Sequence, residues 1–175
     1  MRYAKIRKMD ISNGEGVGVS LFVQGCHFHC RGCFNPETWD FSGGKEWNDD
    51  VKSQFLILAQ KPYIARISIL GGEPLCDENV NDVLDLIKSI KKTYPEKHIW
   101  LYTGYNFDDI IKRGNTIEQT YWRKRFDCVL SVDVVVDGQF QLENQDLYDE
   151  KIVFAGSTNQ HIIHIQDFMK NTIFT

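Results

Sequence analysis

Cys26, Cys30 and Cys33 fall within eight consecutive positions, spaced C-x3-C-x2-C in the stretch GCHFHCRGCFN at 25–35. Thiolates at that density read as metal ligands. A structural zinc site takes four protein ligands, usually as two pairs well apart in sequence, and here the second pair is missing. His27 and His29 alternate with the cysteines on the same short loop, where donating to one tetrahedral centre would strain the backbone. Cys76 and Cys128 are lone residues elsewhere, of the kind that often serves as a small buried hydrophobe. A zinc-stabilised binding module is therefore the weaker reading. An iron-sulfur cubane meets the count differently. Ferredoxin-type clusters use four thiolates, so three leave one iron with open coordination positions where a small molecule can bind. A pure electron carrier has no use for that vacancy.

The bulk properties agree with a metal site in a reducing compartment. The chain has 175 residues, 42% hydrophobic and 25% charged, enough for one globular domain spanning 1–175. Its formal charge of −4 provides no basic field for phosphates, which disfavours nucleic acid as a partner. The one basic cluster, YWRKRF at 121–126, reads as a solvated helix face. The N-terminus starts basic but has no apolar h-region behind it, and no run is long enough to span a membrane, so a cytoplasmic protein is expected. Five cysteines, three of them crowded, are poor material for disulfides.

The elements that must position the cysteines can be read from periodicity. VGVSLFVQ (17–24) reads as a strand that runs directly into the cysteine loop. NDDVKSQFLILAQ (48–60) opens on capping residues and reads as a helix. RISIL (66–70) is a short buried strand ending in GGEP. Asp77 can cap a helix whose apolar positions Val80, Val83, Leu84, Ile87 and Ile90 recur at helical spacing until Pro95. HIWLY (98–102) is a strand followed by TGY and a short helix stopped by Gly114. A helix from Ile117 to Arg125 and a strand within 128–138 ending at Asp137 complete the pattern. The last 35 residues carry room for one or two short strands and no legible role. Strands alternating with helices predict an α/β fold built of βα units, with a mainly parallel sheet forming a short partial (β/α) barrel. Ligands then collect at the carboxyl ends of the strands, where the cysteine loop, GGEP, TGY and VDG all fall.

The cysteine motif after the first strand and GGEP after a later one resemble the radical S-adenosylmethionine enzymes. DISNGEGVGVSLFVQGC, CRGCFNPETWDF, LGGEPL, IWLYTGY, VVVDG and GSTNQ, in that order, look like the branch that activates anaerobic ribonucleotide reductase. The resemblance covers nearly the whole chain. It implies that Cys26, Cys30 and Cys33 hold a [4Fe-4S] cluster, with S-adenosyl-L-methionine chelating the remaining iron. Gly71, Gly72, Glu73 and Pro74 would line the methionine amino group, and the Gly32–Phe34 backbone, including Cys33, would face the adenine. Asn35, Thr103 and Asp137 would add contacts to the cofactor. The superfamily's usual aromatic before the third cysteine is absent: Gly32 stands there, and the aromatic follows as Phe34. The implied chemistry is reductive cleavage of S-adenosylmethionine, whose 5′-deoxyadenosyl radical takes hydrogen from a backbone glycine of the reductase large subunit. No acid-base side chain is then expected to be catalytic. The implied partners are that subunit and a one-electron donor such as flavodoxin, and a homodimer is left open. Activation of another glycyl-radical enzyme, or synthesis on a small heterocycle, is the nearest rival.

Overall fold

The computed structural model describes residues 1–115, 120–146 and 153–173. Its strands are β1 (Arg2–Asp10), β2 (Gly18–Gln24), β3 (Lys45–Glu46), β4 (Arg66–Gly71), β5 (His98–Tyr102), β6 (Val134–Asp137) and β7 (His161–His164). They form one sheet in the order β3-β1-β2-β4-β5-β6-β7. The central pairs β2/β4, β4/β5 and β5/β6 are parallel, whereas β1/β2, β1/β3 and β6/β7 are antiparallel. The sheet is therefore mixed, which corrects the expectation of a mainly parallel one, and no partial barrel is established. The reason lies in the connections. Parallel neighbours need a crossover of a dozen or more residues, usually a helix. Only residues 11–17 join β1 to β2, so that pair must run antiparallel.

Side chains on β2, β4, β5 and β6 alternate between two faces, and both are covered, which is why their runs read as continuously apolar. One face carries Val19, Leu21, Val23, Ile67, Ile69, Ile99, Leu101 and Val135 into the main core. Five helices supply the other half of that core: α1 (Asp49–Ala59), α2 (Val80–Thr93), α3 (Phe107–Gly114), α4 (Thr120–Leu130) and α5 (Ile165–Ile173). Their caps follow the sequence. Asn48 accepts from the Val51 amide (3.0 Å) and Asn106 from the Asp109 amide (3.2 Å), each satisfying a first-turn donor. Truncating a fully buried core residue such as Ile69 to Ala would cost roughly 2–5 kcal/mol.

Among the described residues no α-helix contributes to the opposite face. That face presents Ser20, Phe22, Arg66, Ser68, Leu70, Trp100 and Tyr102, and chain without regular structure crosses it. Residues 11–17 are pinned there by Ser68, whose hydroxyl donates to the Asn13 carbonyl (2.6 Å). Arg66, 1% exposed, donates to Ser68 (2.5 Å) and to the Asp10 carbonyl (2.7 Å). Burial works against ionising Asp10. Bonds from Asn13 and the Ser12 amide, together with the Arg66 charge, outweigh it and hold the carboxyl down at about 2. Phe154 packs edge-on against Trp100 (5.3 Å) over the same face.

Some details differ from the sequence reading. β1, β3 and α5 were not anticipated, and α2 begins after Asn79, with Asp77 turned to another partner. The expected helix over 117–125 is found as α4, with residues 116–119 outside the described ones. Among the described residues no helix is long and apolar enough to cross a membrane.

Candidate metal centre

Gly25, at φ +96°, turns the chain out of β2. The Gly25 and Cys26 amides then donate to the carbonyls of Thr38 (2.7 Å) and Trp39 (3.1 Å). Gln24 extends the same anchorage, its amide donating to the carbonyls of Glu37 (3.0 Å) and Asp40 (2.7 Å). Between these ties the loop reverses through His29 (φ +47°) and Gly32 (φ +76°), and the Cys33 amide donates back to the Cys30 carbonyl (3.1 Å). The three thiols are free, half-buried and face one cavity of about 410 Å³. Burial pushes the Cys26 and Cys30 thiols up, and each also feels negative charge from a neighbouring cysteine and from Glu73. A bound cation offsets such a penalty, since ligating thiols are held deprotonated.

The donor set on this cavity suits a cluster better than zinc. Both nitrogen candidates are turned elsewhere. His27 sits 3.1 Å from each Glu78 oxygen and stacks on Phe41, while His29 stacks on Trp39. Neither histidine lines the cavity. Among the described residues no three His, Cys, Asp or Glu side chains are grouped so as to hold one metal ion. Three thiols sharing a cavity without converging on a point fit a polynuclear group with one iron left open.

GGEP closes the next side. Gly71 (φ +107°) and Gly72 both line the cavity, and each also lies close against neighbouring chain. A Cβ on Gly72 would stand 2.4 Å from the Gly25 carbonyl oxygen. The close approach is thus between the β4 exit and the cysteine loop, sealed by amides of Gly72 to Val23 O (2.9 Å) and Glu73 to Gly25 O (2.8 Å). The Glu73 carboxylate is enclosed by the Leu75 amide (2.8 Å), the Thr103 hydroxyl (2.7 Å) and the Gly104 amide (2.8 Å). Desolvation dominates there and pushes its pKa up to about 7 despite those three donors. Glu73 and Thr103 are therefore bonded to each other, tying the β4 exit to the β5 exit. Both still line the cavity, as do Phe34 and Asn35.

Three expected contacts lie off the lining: Gly32, Pro74 and Asp137. Gly32 packs against Leu142. Asp137 accepts from the Phe107 amide (2.8 Å) and from the His161 amide and ring (3.2 and 2.9 Å), which joins α3, β6 and β7.

Sequence reasoning missed several lining and supporting groups. Asn79 donates to Gln24 O (2.9 Å) and Glu73 O (3.0 Å), binding the cysteine-loop strand to GGEP. The far wall comes from Phe154, Ala155, Gly156 and Gln160. Gln160 accepts from the Gly156 amide (2.7 Å) and donates to Gly138 O (2.8 Å), so GSTNQ is a wall, a role its local pattern did not signal.

A cavity edged by three thiols defines a candidate iron-sulfur centre, and residues 12–163 match the family described as a 4Fe-4S single cluster domain. Curated relatives carry the name anaerobic ribonucleoside-triphosphate reductase-activating protein. The one from Salmonella typhi is 34% identical over 168 residues, 95% of this chain and 100% of the relative. Those from Haemophilus influenzae (34% over 166 residues; 94% and 97%) and Enterobacteria phage T4 (33% over 162; 93% and 93%) are similar. The chain belongs to the family of anaerobic ribonucleoside-triphosphate reductase-activating proteins.

Proposed function

We propose that this chain activates the large subunit of an anaerobic ribonucleoside-triphosphate reductase, using a [4Fe-4S] cluster held by Cys26, Cys30 and Cys33 and S-adenosyl-L-methionine bound beside it. The observation that carries the reading is the donor set: Cys26, Cys30 and Cys33 line one cavity, with no histidine among its described lining residues, and Gly71, Gly72, Glu73, Thr103 and Gly104 edge it as well. When bound, the pair would supply one-electron cleavage of the sulfonium to methionine and a 5′-deoxyadenosyl radical, which takes one hydrogen atom from a glycine Cα of the partner.

The chain's own residues bind, orient and exclude water. Gly71, Gly72 and Glu73 line the cavity from the β4 exit and would face the bound cofactor, and Phe34 and Asn35 line it next to Cys33 in sequence. Glu73, the one carboxylate among the described residues on the cavity, has its oxygens engaged by Leu75, Thr103 and Gly104, so it shapes the site. An electron must come from outside, and a flavodoxin-like donor fits that need.

The test mixes reduced protein, S-adenosylmethionine and the reductase subunit without oxygen. Methionine, 5′-deoxyadenosine and an organic radical on the subunit are expected, with a doublet spectrum that collapses when the subunit contains deuterated glycine. Cofactor cleavage with the cognate subunit, but no deuterium in 5′-deoxyadenosine, would overturn the glycine assignment. A radical formed equally well on pyruvate formate-lyase would overturn the choice of partner.

A further inference from the structure

Arg125 lies on α4 in the YWRKRF stretch that reads as solvated, yet it is only 4% exposed and stands outside the cavity lining. The helix pattern explains the burial. Trp122, Phe126 and Val129 form the inward stripe of α4, and Arg125 falls between them at i+3 from Trp122. Its donors go to the site's loops. Nε donates to the Leu75 carbonyl (2.8 Å), and Nη2 donates to the Asp77 carboxylate and the Tyr105 hydroxyl (3.1 Å). The guanidinium also stacks over Tyr105 at 4.5 Å.

These contacts converge on two loop exits. Leu75 directly follows GGEP, and while its carbonyl meets Arg125, its amide meets Glu73. Tyr105 closes TGY, whose Thr103 and Gly104 hold the same Glu73 carboxylate. The Tyr105 ring in turn packs edge-on against Phe28 of the cysteine loop at 5.1 Å. A planar fork with fixed donor directions can meet a carbonyl, a carboxylate and a hydroxyl at once, which a lysine ammonium on its flexible stem cannot do in the same geometry.

We infer that Arg125 is a positioning residue for the S-adenosylmethionine site, holding the β4 and β5 exits in fixed relation to each other and to the cysteine loop. The inference rests on the proposal above that these loops receive that cofactor. It differs from a plain anchor for α4 in what should change when the guanidinium is lost: the loops' order and their affinity, with the core intact.

The experiment compares wild type with Arg125→Met, Arg125→Lys and Tyr105→Phe, all reconstituted without oxygen. Methionine keeps the packed stem and removes the fork. Iron per chain, the cofactor-induced change in the reduced cluster's paramagnetic spectrum, and amide exchange of peptides covering 66–70, 71–77 and 103–106 are read. For Arg125→Met we expect iron content unchanged, the Kd for S-adenosylmethionine raised about tenfold, and faster exchange in 71–77 and 103–106 while 66–70 stays protected. Arg125→Lys should recover part of the affinity, and Tyr105→Phe should weaken binding about two- to threefold. Unchanged affinity and exchange in Arg125→Met would overturn the role. So would a loss accompanied by equal acceleration in all three peptides, which marks general destabilisation. If Arg125→Met does not fold, wild-type affinity and exchange in both milder variants would overturn it. A wild-type spectrum that ignores S-adenosylmethionine would instead bring down the cofactor assignment, and the exchange comparison would still judge whether Arg125 orders these loops.

Discussion

Gly72→Ala tests the contact between the β4 exit and the cysteine loop. The added Cβ would stand 2.4 Å from the Gly25 carbonyl oxygen and 3.0 Å from its carbon. An ordinary C···O contact is about 3.3 Å, so one loop must retreat by roughly 0.9 Å. Neither side yields easily, because the obstacle is backbone and that same carbonyl accepts the Glu73 amide at 2.8 Å. Overpacking costs about 1–3 kcal/mol and a lost backbone bond about 0.5–1.5 kcal/mol. A total near 3 kcal/mol corresponds to a Tm drop of roughly 6–12 °C for a chain of this size. Because Gly25 immediately precedes Cys26, the displacement should also lower iron content after anaerobic reconstitution. Gly16→Ala is the control: it lies at the other end of β2 with φ +71°, so it loses about 1–2 kcal/mol to backbone strain while leaving the cysteines alone. Differential scanning calorimetry and iron assay on both variants decide the matter. A Gly72→Ala protein with wild-type Tm and full iron would refute the reasoning.

Alanine at Cys26, Cys30 or Cys33 should abolish iron binding, whereas Cys76→Ala and Cys128→Ala, both fully buried and away from the cavity, should keep the cluster's visible absorption. Asp10, held at about 2 against an ordinary 3.8, favours the folded state in its ionised form, so its contribution is complete above about pH 4 and lost as pH falls toward 2. Urea titrations from pH 5 to pH 2 should show wild type losing about 2 kcal/mol that Asp10→Asn does not lose; parallel curves would contradict this. Thr103→Val removes a donor from the buried Glu73 carboxylate and should cost about 1–3 kcal/mol in a denaturant midpoint series, while Thr103→Ser restores stability. Equal stability of the Val and Ser variants would mean the hydroxyl does not hold Glu73.

The central strands and the helices with apolar stripes were legible because burial on both faces, or on one stripe, writes itself into local periodicity. β1 was not, since it lies near the edge and intersperses Arg2, Lys5, Arg7 and Lys8 among its apolar residues. Sheet direction was misjudged because hydrophobic runs report coverage and say nothing of the sense in which a neighbour runs; the length of the 11–17 connection would have been the better guide. At the site, thiol spacing is a local signal, and the three cysteines line one cavity with Gly71, Gly72 and Glu73 while Pro74 does not. The supports are non-local. Asn79 and Arg125 act across 55 and 50 residues, and a basic residue on a helix has no local mark that tells a buried fork from a solvated one. Gly72 was recognised as a close-approach residue, but only the folded chain shows that what approaches is Gly25.

The two ends of the sheet have a consequence for association. A strand with one side unpaired is a template on which another chain can add, and long flat edges invite stacking into fibres. Here the outermost strands are β3, two residues long and made of Lys45 and Glu46, and β7, four residues long with a histidine at each end. Each exposes few backbone groups and places polar side chains beside them. Among the described residues, the chain thereby keeps an open sheet while giving a second copy little to pair with along either edge.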